Sequence, residues 1–148
     1  MRYVLPLILL VAAQPGRAMD ILQCTLGESA HGWVAQSLVL AHEPGAAKAI
    51  VADDLGLYYT GKPATARVTS ERGNKLRFTW KIRKMTDIRG NLVPAMVYRA
   101  TLSNGQRSLK VSAEPLGYSS RFSGSGTCQP VAEAERRAFE KIVRQSAE

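Results

Sequence analysis

PAMVYRATLSNGQRSLKVSA, residues 94–113, alternates apolar and polar side chains on either side of an Asn104-Gly105 pair. Asn-Gly is the strongest short hairpin signal, because a two-residue type I′ turn needs positive φ at both central positions. With that pair central, Tyr98 faces Val111, Ala100 faces Leu109 and Met96 faces Ala113 on one side. Arg99 faces Lys110 and Thr101 faces Ser108 on the other. One apolar and one polar face is the pattern of an antiparallel hairpin that covers a core and meets water.

The same period continues outward. Residues 75–84, KLRFTWKIRK, point Leu76, Phe78, Trp80 and Ile82 one way and Lys75, Arg77, Thr79, Lys81 and Arg83 the other. They pair with residues 64–70 through a three-residue turn, Arg72-Gly73-Asn74, setting Val68 against Phe78, Arg67 against Thr79 and Thr69 against Arg77. A third hairpin joins residues 34–41 to 47–53 around Pro44-Gly45, which suits the centre of a type II turn. Both of its strands are apolar on both faces, which suggests a more deeply covered position or packing by another element. Shorter strands are expected at 22–26, at 57–60 and at 118–128, where Gly124 and Gly126 signal a bulge, a bend or a close backbone approach. Residues 130–148 change to a helical period, with Pro130 in the first turn, Glu133/Arg137 and Glu140/Arg144 as i, i+4 pairs, and a stripe of Val131, Ala134, Ala138 and Ile142 widened by Phe139 and Val143. A helix this short should dock on the sheet.

Cys24 and Cys128 lie on the apolar faces of the first and last strands. A bond between them brings the two ends of the meander together and removes sheet edges. The expected fold is therefore all-β: an antiparallel up-and-down meander of about seven to nine strands, curled into a barrel or sandwich, with a C-terminal α-helix.

The N-terminus points to export. Arg2 precedes an apolar run over residues 3–13, and Gly16 and Ala18 are small residues before a cleavage point. The run is shorter than the ~20 residues that span a bilayer. A signal peptide over residues 1–18, a β domain over 19–129 and a helix over 130–148 are the expected divisions, the alternative being a translation start at Met19. An isolated cysteine pair in an exported chain reads as a disulfide. Lipidation of Cys24 is disfavoured by Gln23 before it, and two isolated cysteines with two histidines make a poor metal site.

Charge is uneven. The whole chain carries +8, yet residues 67–121 alone hold twelve Lys and Arg against Glu71, Asp87 and Glu114. The outward cations Arg67, Lys75, Arg77, Lys81, Arg83, Arg99 and Lys110 form a candidate anion-binding face, or else a solvated face that deters edge pairing. Acidic lipid headgroups or an acidic protein are the partners it suits. Nucleic acid is not, because the aromatics do not interleave with the cations. Phe78, Trp80, Met96, Tyr98, Tyr118 and Phe122 form a candidate apolar lining, either plain core or the wall of a small-ligand site. No catalytic, cofactor or metal motif is present: His31 and His42 read as exposed loop residues, and Asp53-Asp54 as a solvated turn.

The segment NGQRSLKVSAEPLGYSSRFSGSGTC, within residues 98–128, resembles a pattern recurring in small exported bacterial proteins of unknown function. The resemblance rests on an Asn-Gly hairpin, a Pro-x-Gly-Tyr turn and a Gly-x-Gly-x-Cys strand end. It implies export and a β fold and carries no active site. The expected function is a non-enzymatic binding or structural role at the cell envelope, docking an anionic partner through the basic strand face. The alternative is a carrier of a small apolar ligand. An inhibitor of an exported enzyme ranks third, since a basic inhibitor is repelled by basic lysozymes.

Overall fold

The alternation at residue 75 is realised in strand β5 (Lys75–Thr86), where Leu76, Phe78, Trp80 and Ile82 are buried and Lys75, Arg77, Lys81 and Arg83 are exposed. A computed structural model describes residues 18–146. Seven more strands complete it: β1 (Asp20–Thr25), β2 (Ser37–His42), β3 (Lys48–Asp53), β4 (Ala64–Arg72), β6 (Leu92–Ser103), β7 (Ser108–Pro115) and β8 (Phe122–Pro130). Two helices are added, α1 (Asp54–Thr60) and α2 (Glu133–Ser146). Each strand pairs antiparallel with its sequence neighbours, and β8 pairs with β1, so the sheet is a closed eight-stranded barrel. The proposed leader falls outside the described residues except for Ala18.

Cys24 stands directly opposite Cys128 in the β1–β8 ladder and is bonded to it, with the Cα atoms 4.0 Å apart. That ladder is short, running from Leu22↔Pro130 to Thr25↔Thr127. Beyond it the β1–β2 connection seals β8: the Ser125 N–H donates to Ser29 Oγ (3.0 Å), and the His31 N–H donates to the Ser123 carbonyl (3.2 Å). A Cβ on Gly126 would collide with the Thr25 carbonyl, and one on Gly124 would press on Leu26 and Ala30. The two glycines are thus the expected close backbone approach.

The faces of the hairpins are as read, but two registers differ. Ser103 pairs with Ser108, so the loop is four residues long. Tyr98 then faces Ala113, Ala100 faces Val111, Arg99 faces Ser112, and Lys110 faces Thr101. Asn104, Gly105 and Gln106 all adopt positive φ, a longer left-handed turn than a two-residue type I′. The shift is two residues, which preserves the face of every side chain. In β4–β5, Arg67↔Thr79 and Val68↔Phe78 hold, but a bulge between Val68 and Ser70 absorbs Thr69, and the turn shortens to Gly73-Asn74. The Pro44-Gly45 turn has Gly45 at φ 84° and a bond from Ala46 N–H to the Glu43 carbonyl (2.9 Å), as a type II turn requires.

Residues 57–60 are not a strand. Asp53 caps α1 by accepting from Gly56 N–H (2.8 Å), and Gly61 ends it at φ 71°. Those two signals outweigh the β propensity of Leu57-Tyr58-Tyr59. Asp53 is buried in this role, not solvated.

The doubly apolar strands find their cover in α2. Ile21, Ala41 and Val143 form a second buried cluster outside the barrel wall, flanked by Met19, Val39, Ile50, Val131 and Phe139. The buried face of α2 is therefore Phe139 and Val143. Ala134, Ala138 and Ile142 of the expected stripe are exposed. Glu133 does pair with Arg137 (3.6 Å), but Glu140 pairs with Arg136 (3.1 Å) rather than Arg144, and Arg136 also donates to the Met19 carbonyl (2.7 Å).

Candidate functional site

Strand geometry places alternate residues on one side, so the outward cations of β4 to β7 stand on the outer surface of the barrel, four of them on β5 and one each on β4, β6 and β7. All seven sequence-read cations, Arg67, Lys75, Arg77, Lys81, Arg83, Arg99 and Lys110, are exposed. Lys48 of β3 joins them, directly opposite Arg67. Among the described residues, Arg67, Lys75, Arg77, Lys81, Arg83 and Lys110 have no acidic side chain within ion-pair distance.

Arg99 differs. Its guanidinium donates to Glu114 (2.7 Å), which also accepts from Arg121 Nε (2.6 Å). The two arginines hold the Glu114 carboxyl below the usual carboxylate range by hydrogen bonding. Beside this trio runs a groove of about 540 Å³, lined by Arg99, Lys110, Arg121 and His31 with the hydroxyls of Thr101, Ser112, Ser123 and Ser125. Cations and hydroxyl donors in one groove are chemically suited to an oxyanion. Arg121 and the serines were not legible as site residues, because the β1–β2 connection and β8 meet only in the closed barrel.

The interior is filled by its own rings. Phe78, Trp80 and Tyr98 stack in a row, with centroids 5.7 and 5.0 Å apart and planes within 18° and 8°. Met96 is fully enclosed, and Phe122 packs partly buried over Gly32. Tyr118 is not part of the lining: it stands 62% exposed in the β7–β8 connection, where Pro115-Leu116-Gly117 turns the chain away from the wall. Tyr98 donates its hydroxyl to the Trp33 carbonyl (2.8 Å), and burial, with Asp53 and Tyr59 nearby, pushes its ionisation well up. It is a neutral structural donor. Burial likewise raises the Asp53 carboxyl, against the lowering effect of the Gly56 and Leu55 N–H groups. Trp80 Nε1 is the one buried side-chain polar atom without a hydrogen-bond partner among the described residues.

The histidines do not converge. His31 is exposed as expected, whereas His42 is buried at the β2–β3 turn, its Nε2 3.3 Å from the Ala46 carbonyl and 3.9 Å from Glu71. Its place at the end of an inward-facing strand hides it, which a turn-adjacent sequence position does not reveal. Among the described residues no three His, Cys, Asp or Glu side chains cluster as metal ligands, and no helix is long and apolar enough to cross a membrane.

The fold and site define a closed, disulfide-seamed antiparallel barrel with a packed aromatic interior and a cationic wall. Compared with known proteins, the chain matches no family, no curated protein and no solved structure.

Proposed function

We propose that this is an exported, non-enzymatic barrel of the cell envelope that docks an anionic surface through the outer wall of β4 to β7. The observation that carries the reading is the wall itself. Six exposed cations, four of them on β5, stand on the outside of β4, β5 and β7 with no acidic side chain within ion-pair distance among the described residues, and Arg99, Lys110 and Arg121 flank an adjoining hydroxyl-lined groove. Lys48 directly faces Arg67 and Arg72 faces Lys75, pairs of like charge that an anionic partner relieves. The disulfide accords with an oxidising compartment, and the leader-like residues 1–18 supply the route.

The test is binding of the processed, disulfide-bonded protein to anionic and to neutral vesicles over a range of salt. Binding to anionic vesicles only, falling steeply as salt rises, is the expected result. Charge reversal at Arg77, Lys81 and Arg83 should abolish it. Unchanged binding in that triple variant overturns the reading.

The carrier alternative has one observation in its favour, the unpartnered Trp80 Nε1 within the barrel. Against it, the rings that would hold a ligand stack on each other. Native mass spectrometry giving the bare protein mass would remove it.

A further inference from the structure

In an up-and-down barrel the connections alternate between the two ends. One end collects the β1–β2 connection, α1, the β5–β6 hairpin and the β7–β8 connection. Of the seven large apolar side chains that stand exposed among the described residues, six belong to this end: Leu57, Tyr58, Ile88, Leu92, Leu116 and Tyr118. The seventh, Ile142, is on α2, and the turns of the opposite end supply none. Exposed apolar side chains gathered at one end are a feature of surfaces that meet a protein or a membrane.

The β5–β6 hairpin leads this end. Its ladder runs on through Met85↔Val93 and Thr86↔Leu92, past the last β4–β5 pair at Arg67↔Thr79 and the last β6–β7 pair at Met96↔Pro115. The tip is ordered. The Asp87 carboxylate accepts from Arg89 N–H (2.9 Å), Asn91 N–H (2.8 Å) and Asn91 Nδ2 (2.9 Å), while the Asp87 N–H donates to the Asn91 carbonyl (3.0 Å). Tyr59 ties α1 to the hairpin by donating its hydroxyl to the Thr86 carbonyl (2.7 Å). Between these bonds Ile88 is 103% exposed, and Leu92 is 62% exposed. The polar groups of Asp87 and Asn91 are thus spent inside the turn, and what the tip offers outward is aliphatic surface and charge.

The charge is cationic beside the tip. Arg83, Lys84 and Arg89 are exposed on the hairpin and Lys62 on the neighbouring connection. The acids of this end are Asp87, held in the turn, Asp53 and Asp54 at the start of α1, Glu28, and Glu114, which is paired with Arg99 and Arg121. Aliphatic residues in the lead, tyrosines behind them and cations alongside are the composition of an interfacial membrane anchor. A fluid lipid surface needs no directional hydrogen bonds, which fits a tip whose own are internally satisfied.

We infer that this end of the barrel enters the interfacial layer of an anionic lipid bilayer. Ile88 and Leu92 lead into the acyl boundary, Tyr58 and Tyr118 lie at headgroup level, and Arg83, Lys84 and Arg89 meet the lipid phosphates. The inference rests on the reading of the wall as an anion-docking surface, and it specifies lipid as the partner.

The experiment uses the processed, disulfide-bonded protein carrying Ile88→Cys labelled with an environment-sensitive dye, and vesicles of phosphatidylcholine with or without phosphatidylglycerol. A blue shift on adding anionic vesicles, with quenching by acyl-chain spin labels, is the expected result. Ile88→Ser with Leu92→Ser should weaken binding about tenfold and leave the salt dependence of the remaining binding intact. A dye that stays in water while the protein binds anionic vesicles salt-sensitively overturns insertion and leaves the wall reading standing. Insertion that still requires anionic lipid but is unchanged by charge reversal at Arg77 and Lys81 alone supports insertion and removes the wall. A blue shift without vesicles that grows with protein concentration assigns the end to a second copy of the chain and overturns the inference.

Discussion

The sector β1–β3 and the sector β4–β7 are parts of one hydrogen-bonded barrel, yet they keep different rules. In β5 from Lys75 to Arg83 the side chains alternate: Leu76, Phe78, Trp80 and Ile82 are buried, and Lys75, Arg77, Lys81 and Arg83 are exposed. In β1–β3 the alternation fails, because Ile21 and Ala41 point away from the barrel interior and are still buried. The difference is α2, whose Phe139 and Val143 pack with Ile21, Ala41, Val39 and Ile50 on the outer face of β1–β3. Where a second layer covers a sheet its strands read as apolar runs, and where water covers it they alternate. The bare sector is then free to carry charge.

The largest effect is expected at the seam where β8 closes the barrel on β1. Cys24 and Cys128 are 104 residues apart in sequence. Chain-entropy arguments give about 4–5 kcal/mol for a loop of roughly that length. Reduction, or Cys24→Ser with Cys128→Ser, should lower the thermal midpoint by many degrees, and a shift of only a degree or two would mean that the ladder alone holds β1.

Stripping the cover from the two-faced sector comes next. Phe139→Ala with Val143→Ala should cost about 2 kcal/mol, less than the ~3–5 of an enclosed phenylalanine because Phe139 is only partly buried. It should also create binding of an apolar dye, since the outer face of β1–β3 is laid open. Stability lost without dye binding would indicate that α2 still covers the strands.

At the end of β3, Asp53→Ala should cost about 1 kcal/mol as a lost helix cap. Asp53→Asn keeps an acceptor for the cap and removes the titration. Burial raises the Asp53 carboxyl above its ordinary value, so in the window between the two values the folded state holds the proton more firmly. Stability from this group is present at lower pH and is lost as pH rises through the raised folded value. Chemical denaturation across that window should show the fall in the native chain and a flatter curve in Asp53→Asn.

The smallest effect belongs to the bare wall. Neutralising Arg77 and Lys81 to Gln should change stability by less than about 0.5 kcal/mol, because both side chains are exposed. A larger loss in denaturant midpoint would show that the cations are structural, and the contrast between the sectors would weaken.

Much of the fold was legible in residues whose local pattern and tertiary role agree. The period-two strand at 75–82, the Pro44-Gly45 turn, the glycines facing a neighbouring backbone and the two cysteines on terminal strands are of this kind. Pair registers were less legible, since the bulge at Thr69 and the long left-handed turn at Asn104–Gln106 are settled by fit to the neighbouring strands. Helix α1 was hidden by aromatic β propensity, although Asp53 and Gly61 in the sequence were its cap signals. The cationic wall could be read from alternation alone. The apolar end could not: Ile88 and Leu116 sit in turn sequences, Asp87-Ile88-Arg89-Gly90-Asn91 and Pro115-Leu116-Gly117, where an apolar residue in a polar turn was the one available sign.

By itself the sequence determined which residues face inward or outward, because a strand's period is a local property of the backbone. It also determined where the chain turns, because positive φ and fixed φ belong to particular residues. The three-dimensional structure alone decided that the meander closes as an eight-stranded barrel rather than a sandwich, that α2 packs on the outer face of β1–β3, and that three separate connections bring their exposed apolar side chains to one end. Those outcomes depend on contacts between segments far apart in the chain, and no local pattern encodes which distant surfaces will meet.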